Sequence, residues 1–468
     1  MTVIIDLLVT LALATTGYLC VRLLLKEASW LEILSLTFPL GSGLLTWLFF
    51  LLGWIGIPFD RIQVIVIWIG VNLVLLALIR YQKNESASKR PSIVNNRQHT
   101  AGVDYAVLLI LGAGLVISII LSIGRSYSVY DGIAMWAPKG YGIALERSLW
   151  GARWGNHGYA YPLNIHFNIA SFRLFSGDLL PGSKMIFPLY FFSMLLGIYA
   201  FWIREQVHPY LRACSLLVIG TVPVLFSFSM IGYANLPMAA YMVLATLWGI
   251  EGIMHGNFKI QILSGILLGL TAWTILEGML YVVAIGLVLI LARYVSKIGE
   301  IKPFAWITPV VIIAGVWFVF FQMHGSTGSQ AISAASKMLQ ALLQGDWQPS
   351  GIRLILWFAR RNIFDISTWG LIYPLGILFF LLGWKQVRPG KNFVSLALFL
   401  ATLATGALSL GLFYLRSFDI PGLYDLLLRG FPRGFMSPSI LFFVLGVQLL
   451  AAIPIMVKKP GLPHLAPR

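Results

Sequence analysis

Apolar runs of roughly 17 to 25 residues recur along the whole chain, and that is the length a helix needs to cross the hydrocarbon of a bilayer. Of the 468 residues, 59% are hydrophobic and only 11% are charged. No stretch between the runs is long enough to bury a soluble core of its own. The pattern predicts an all-α polytopic membrane protein with about thirteen transmembrane helices. The expected spans are 3–25, 31–55, 62–81, 104–124, 184–202, 210–230, 235–254, 260–274, 278–291, 303–323, 369–384, 393–415 and 438–457. The first has neither a basic leading region nor a small-residue cleavage site, so it reads as a retained helix rather than a removable signal peptide.

Short loops keep Lys and Arg on the cytoplasmic side of a membrane. Lys26, Lys83, Lys89, Arg90, Arg97, Arg204, Lys259, Arg293, Lys297, Lys302, Lys385, Arg388, Lys391, Lys458 and Lys459 collect on one side, whereas the connections 56–61, 231–234 and 275–277 hold Arg61 alone. The first side is therefore read as cytoplasmic. The amino terminus and three long loops, 125–183, 324–368 and 416–437, then face outward. Three parts follow: 1–102 with three leading helices and a polar cytoplasmic linker at 82–100, a core at 103–323 with the large loop 125–183, and 324–468 with loop 324–368 and the last three helices.

The net charge of +16 comes partly from this asymmetry and partly from the outward loops. No compact basic fold or base-stacking module accompanies it, so nucleic acid is not an expected partner. Cys20 and Cys214 both lie in apolar spans, which indicates neither a disulfide framework nor a cysteine metal site. No metal or other cofactor is indicated.

Candidate chemistry concentrates in loop 125–183. Asp131 follows the mouth of the fourth helix, and two roles stay open for it. The run Gly132 to Lys139 and on to Ser148 can form a short interfacial helix that Asp131 caps, or its carboxylate can serve as a general base at a partly desolvated surface. Arginines and lysines in the outward loops, among them Lys139, Arg153, Arg429 and Arg433, suit either a lipid-linked phosphate or anionic headgroups. Trp150, Trp154, Tyr159 and Tyr161 suit sugar stacking or an interfacial aromatic belt. His157 and His166 have no ligand-spaced partners for a metal. In Gly232-Tyr233-Ala234-Asn235-Leu236-Pro237, Asn235 is placed to cap the following helix. Glu277, between two apolar spans, is a costly acid unless paired or used. Residues 329–344 have the apolar spacing of an amphipathic surface helix.

Several of these residues together carry a resemblance. The outward Asp131, the stretch His157 to Leu163 with its Tyr-Pro-Leu, then Gly-Tyr-Ala-Asn-Leu-Pro and Thr-Ala-Trp-Thr-Ile-Leu-Glu-Gly, resemble bacterial membrane glycosyltransferases of the GT-C class. The branch concerned is similar to protein O-mannosyltransferases and lipid A aminoarabinose transferases. The motif resemblance covers residues 129–277. It implies a GT-C-like fold with a large extracytoplasmic loop carrying short interfacial helices, a polyprenyl-phosphate sugar donor, and an aspartate base, which falls on Asp131. The chain departs from the pattern at Asp131-Gly132, where relatives have an acidic pair, at Asn235, where an aspartate is expected, and at Ile275-Leu276-Glu277-Gly278, where Lys-Asn-Glu-Gly is expected. The three leading helices would be an addition to the usual core.

The expected function is thus inverting transfer of a sugar from a polyprenyl-phosphate donor to an unidentified hydroxyl acceptor, at the extracytoplasmic face of a bacterial plasma membrane. Asp131 is the candidate base, and Lys139, Arg153, His157, Tyr161, Asn235, Glu277, Arg429 and Arg433 are the candidate substrate contacts. Membrane lipid is the other expected partner. The competing readings are a lipid or sugar-lipid flippase, which would need ionisable residues at mid-membrane, and a non-catalytic glycolipid assembly protein.

Overall fold

The computed structural model describes residues 2–86, 102–127, 131–150, 161–177, 181–324, 349–387, 392–417 and 423–453, with isolated positions between 336 and 345. Every regular element among them is helical. The chain begins with α1 (Thr2–Leu24), α2 (Trp30–Trp54), α3 (Arg61–Ser86) and α4 (Gly102–Ile123). A π-helical turn, Gly132–Trp136, leads into α5 (Ala137–Glu146), and α6 (Asn164–Ser176) follows. The middle comprises α7 (Ile186–Arg204), α8 (Pro209–Gly220), α9 (Pro223–Ile231), α10 (Asn235–Met254), α11 (Phe258–Thr274) and α12 (Gly278–Ser296). α13 (Pro303–Val310) passes through a second π turn into α14 (Val316–His324). The last part is α15 (Pro349–Ile363), α16 (Ile366–Trp369), α17 (Ile372–Gly383), α18 (Phe393–Ser417), α19 (Leu423–Gly434) and α20 (Met436–Ala451).

Among the described residues, nine helices are long and apolar enough to cross a membrane, or up to eleven if each of two bent pairs is one span. The chain is therefore an integral membrane protein by length and composition, with fewer clear spans than the thirteen expected. The differences have local causes. The run 210–230 is two helices, α8 and α9, bent by 54°, because Pro223 supplies no backbone N–H to continue the ladder after Gly220. α17 has 12 residues, so at 1.5 Å per residue it falls well short of a bilayer core of about 30 Å. α19 and α20 are likewise bent by 44°. Hydropathy averages across such bends and cannot register them. The linker expected at 82–100 lies mostly outside the described residues, as does most of 329–344.

Packing explains the order of the bundle. α10 lies at its centre, buried along its whole apolar window, against α7, α11, α12, α18 and α20. α1 and α2 meet through glycine: a Cβ on Gly17 would lie 1.7 Å from the Thr37 carbonyl oxygen, and one on Gly41 1.8 Å from that of Leu13. Close backbone approach of this kind is how apolar helices associate where lipid removes the hydrophobic drive. α2 opens with a capping box, in which the Ser29 N–H donates to Glu32 Oε2 at 2.7 Å and Ser29 Oγ accepts from the Glu32 N–H.

One end of the bundle is locked by buried charge. Arg212 in α8 grips Asp104 in α4 through both carboxylate oxygens, at 3.0 and 2.5 Å, and Tyr199 donates to the same carboxylate. Arg204 joins Glu32 to Glu251 nearby. Removing one partner of a pair as enclosed as Asp104–Arg212 would strand the other charge, at a cost of about 3–5 kcal/mol. The opposite end, where α10 and α12 begin and α18 finishes, carries the cavity described next.

Candidate functional site

Four separated parts of the chain converge on one cavity of about 140 Å³. Asp131, Met135, Trp136 and Tyr161 come from the large loop. Asn235 and Met238 come from the start of α10, and Ile275, Glu277 and Tyr281 from the α11–α12 turn. Ser409, Leu412 and Phe413 on α18, with Gly430, Arg433 and Gly434 on α19, close it. At the liquid volume of water the space holds about five molecules, the scale of a phosphate or part of a sugar.

Asp131 lines the cavity and does not cap the turn that follows it. It precedes the π turn Gly132–Trp136 and makes no side-chain cap hydrogen bond. Its Oδ2 instead accepts from Arg433 Nη1. The helix-cap role is therefore absent, and the carboxylate is turned into the cavity. π turns inside α-helices recur at functional sites, where the extra residue redirects a side chain.

Arg433 is held by an aromatic ring as well as by Asp131. Its guanidinium lies over the Tyr233 ring, 5.4 Å from the centroid, and Tyr233 stacks on Phe228 at 5.0 Å. Behind it, Ser409 Oγ donates to the Gly434 carbonyl at 2.9 Å and shares a 2.8 Å bond with the Tyr281 hydroxyl. Burial and the Asp131 carboxylate push the Tyr233 hydroxyl above its ordinary pKa. Tyr233 was part of the Gly-Tyr-Ala-Asn signature but was not singled out as a site residue. The Gly before it was its only local signal: Gly232 sits at φ +82°, ends α9 in the left-handed conformation, and leaves no room for a Cβ beside Tyr127.

Asn235 is not the cap it was expected to be. Ala234 takes the capping position in helical conformation, and α10 begins at Asn235, whose residue lines the cavity instead. Glu277 stands just before α12. Gly278 allows this, since a Cβ there would lie 2.2 Å from the Thr271 carbonyl oxygen. Asp131 and Glu277 are the only acids among the described lining residues. No three His, Cys, Asp or Glu side chains among the described residues are grouped to hold a metal ion.

Beneath the loop, Trp136 packs edge-on against Tyr161 at 5.6 Å and tilts over His166 at 5.0 Å. His166 is fully buried, and burial together with Lys139 drives its pKa well below the usual value. Lys139 is 4% exposed, and burial pushes it down to about 8. It does not line the cavity. Gly140 explains why: α5 lies so close to α6 that a Cβ there would meet Ile169 at 2.6 Å. Arg429 is exposed and also outside the lining, although its charge reaches Tyr233. The structure thus gathers Asp131, Tyr161, Asn235, Glu277 and Arg433, and separates Lys139 and Arg429 from them. Arg153 and His157 lie outside the described residues.

No protein-family model matches the chain, and no curated protein matches it in sequence. Two solved structures are similar in shape. One is the archaeal oligosaccharyltransferase AglB from Archaeoglobus fulgidus in complex with an inhibitory peptide and a dolichol-phosphate, at TM-score 0.42 and 14% identity over 73% of this chain and 50% of that one. The other is the Archaeoglobus fulgidus oligosaccharyltransferase in complex with Zn and sulfate, at TM-score 0.41 and 14% identity over 72% and 48%. The chain spans about half the length of the solved structures it matches.

Proposed function

We propose that this chain is a GT-C-like membrane glycosyltransferase that moves a sugar from a polyprenyl-phosphate donor to an acceptor hydroxyl, with the reaction at the extracytoplasmic face of a bacterial plasma membrane. The observation that carries the reading is the meeting of Asp131 and Arg433 in one cavity at an end of the helix bundle. A base and a fixed cation are what this chemistry asks of a protein. The donor already has a phosphate leaving group, so catalysis rests on taking the acceptor proton and stabilising the departing charge.

In this mechanism the acceptor oxygen attacks the anomeric carbon and its proton passes to Asp131. The bond from that carbon to the phosphate oxygen breaks, and its electron pair leaves with the polyprenyl phosphate beside Arg433. One direct displacement inverts the anomeric centre. Asn235, Glu277 and Tyr161 face the same space and are the groups available to hold sugar hydroxyls. Arg153, His157, Lys139 and Arg429 have no place in the described lining and are assigned no step.

A glycolipid-binding protein without turnover would use the same cavity. Release of sugar from a purified, labelled polyprenyl-phosphate donor separates the two: the enzyme releases it and loses that activity with Arg433→Gln, whereas a binding protein retains intact donor.

A further inference from the structure

We propose that α15 is a recognition element for anionic lipid headgroups, seated on the bilayer surface next to the cavity. The proposal stands on the three-sided character of this helix and is independent of the transfer reaction.

At 3.6 residues per turn, the 15 residues of α15 divide into three sectors. Gly351, Ile355, Phe358 and Ala359 are buried and form the side that faces the protein. There Phe358 meets Phe431 and Tyr424 of α19, each at 5.8 Å between ring centres. The next sector holds Ile352 and Leu356, which are exposed, with Ile363 beside them. The third holds Arg353, Arg360 and Arg361, all exposed, with Trp357 among them, 47% exposed. A helix that buries one side in protein, leaves aliphatic groups on a second and puts arginines on a third has the pattern of one lying in the plane of a membrane interface. Trp357 suits the same depth, and the Arg361 guanidinium lies 5.5 Å from its ring centroid.

Charge decides the occupant. None of Arg353, Arg360 and Arg361 forms an ion pair among the described residues. The acid nearest in sequence to Arg360 and Arg361, Asp365, is engaged locally: its Oδ1 accepts from Ser367 N at 3.0 Å and its Oδ2 from Thr368 Oγ1 at 2.5 Å. Three exposed guanidiniums with no counter-ion among the described residues, beside an aliphatic strip, complement phosphate headgroups of net negative charge. Each arginine near such a surface favours it by roughly fivefold. The contact bears on the cavity through packing, because Phe431, against which Phe358 rests, stacks on Phe413 of the cavity wall at 5.8 Å.

The test uses the full chain in nanodiscs, with Cys214→Ser to remove the exposed thiol and Leu356→Cys carrying a bimane label. Quenching by brominated phosphatidylglycerol is compared with quenching by brominated phosphatidylcholine at equal mole fraction. The expected result is a preference for the anionic lipid of roughly fivefold or more. It is abolished in the Arg353→Gln/Arg360→Gln/Arg361→Gln variant and kept when the three are Lys. Equal quenching by both lipids, or a preference that survives the Gln substitutions, overturns the headgroup assignment. No quenching by either removes α15 from the bilayer surface altogether.

Discussion

Arg433 on α19 donates through Nη1 to Oδ2 of Asp131, a pairing across 302 residues of sequence that joins the candidate phosphate ligand to the candidate base. Each side chain occupies the other. A phosphate entering the cavity competes with the Asp131 carboxylate for the same guanidinium, and its capture of Arg433 frees Oδ2 to accept a proton. Asp131→Asn should therefore tighten binding of sugar-free polyprenyl phosphate by about tenfold, and this gain should vanish in the Arg433→Gln background, a coupling of the size contacting residues show. A full double-mutant cycle of binding constants measures it. The same gain in both backgrounds would mean that Asp131 acts on phosphate only by general repulsion.

The two arginines of α19 should part company. Arg433 lines the cavity and is half-buried against Tyr233, whereas Arg429 is exposed. Replacing Arg433 with Gln is expected to weaken polyprenyl-phosphate binding by about 2–5 kcal/mol, and replacing Arg429 by less than about 1 kcal/mol. Equal losses at the two positions would place the phosphate on the outer face of α19.

Lys139 gives a pH signature of stability. Burial holds its pKa at about 8 in the folded chain, against 10.5 for the ordinary side chain. Between those values the unfolded state binds the extra proton, so stability should rise with pH across that window, by up to about 3 kcal/mol. Below pH 8 both states are protonated and the destabilisation is fully present. Thermal melting of the wild type and of Lys139→Met across this range isolates the effect: the difference between them should shrink or reverse as pH rises. Parallel curves would show that Lys139 is not desolvated.

Gly278 tests how tightly Glu277 is positioned. An Ala Cβ would lie 2.2 Å from the Thr271 carbonyl, a backbone atom that cannot rotate away. Gly278→Ala should cost about 1–3 kcal/mol by overpacking, seen as a lowered melting temperature, and should reduce turnover by displacing Glu277. Wild-type melting and turnover would show that the α11–α12 turn relaxes freely.

What the sequence revealed follows from what sets each feature. Bilayer thickness fixes the length of an uninterrupted helix, so α2, α4, α10 and α12 begin within two residues of the expected positions. The break between α8 and α9 escaped because both halves are apolar, and only Pro223 marks the bend. Glu277 was legible as a candidate because an acid between two apolar spans is costly unless paired or used, whereas Asn235 read locally as a helix cap and Tyr161 as sugar stacking or an aromatic belt, and both line the cavity. The Asp131–Arg433 pairing was not legible, since nothing local to either residue encodes a partner 302 positions away. Lys139 misled for the opposite reason: a lysine in a polar loop reads as solvent- or ligand-facing, but the glycine after it lets α5 sink against α6 and takes the side chain inward.

The central claim is that Asp131 takes the acceptor proton during sugar transfer, and one substitution tests it. Asparagine keeps the shape of the side chain and can still face Arg433, but it cannot accept that proton. With folded, detergent-stable protein and a labelled polyprenyl-phosphate sugar, Asp131→Asn is predicted to lower the turnover rate by roughly 10²- to 10⁴-fold while donor binding is retained or tightened. Near-normal turnover by this variant would contradict the account and leave Asp131 as no more than the residue that holds Arg433.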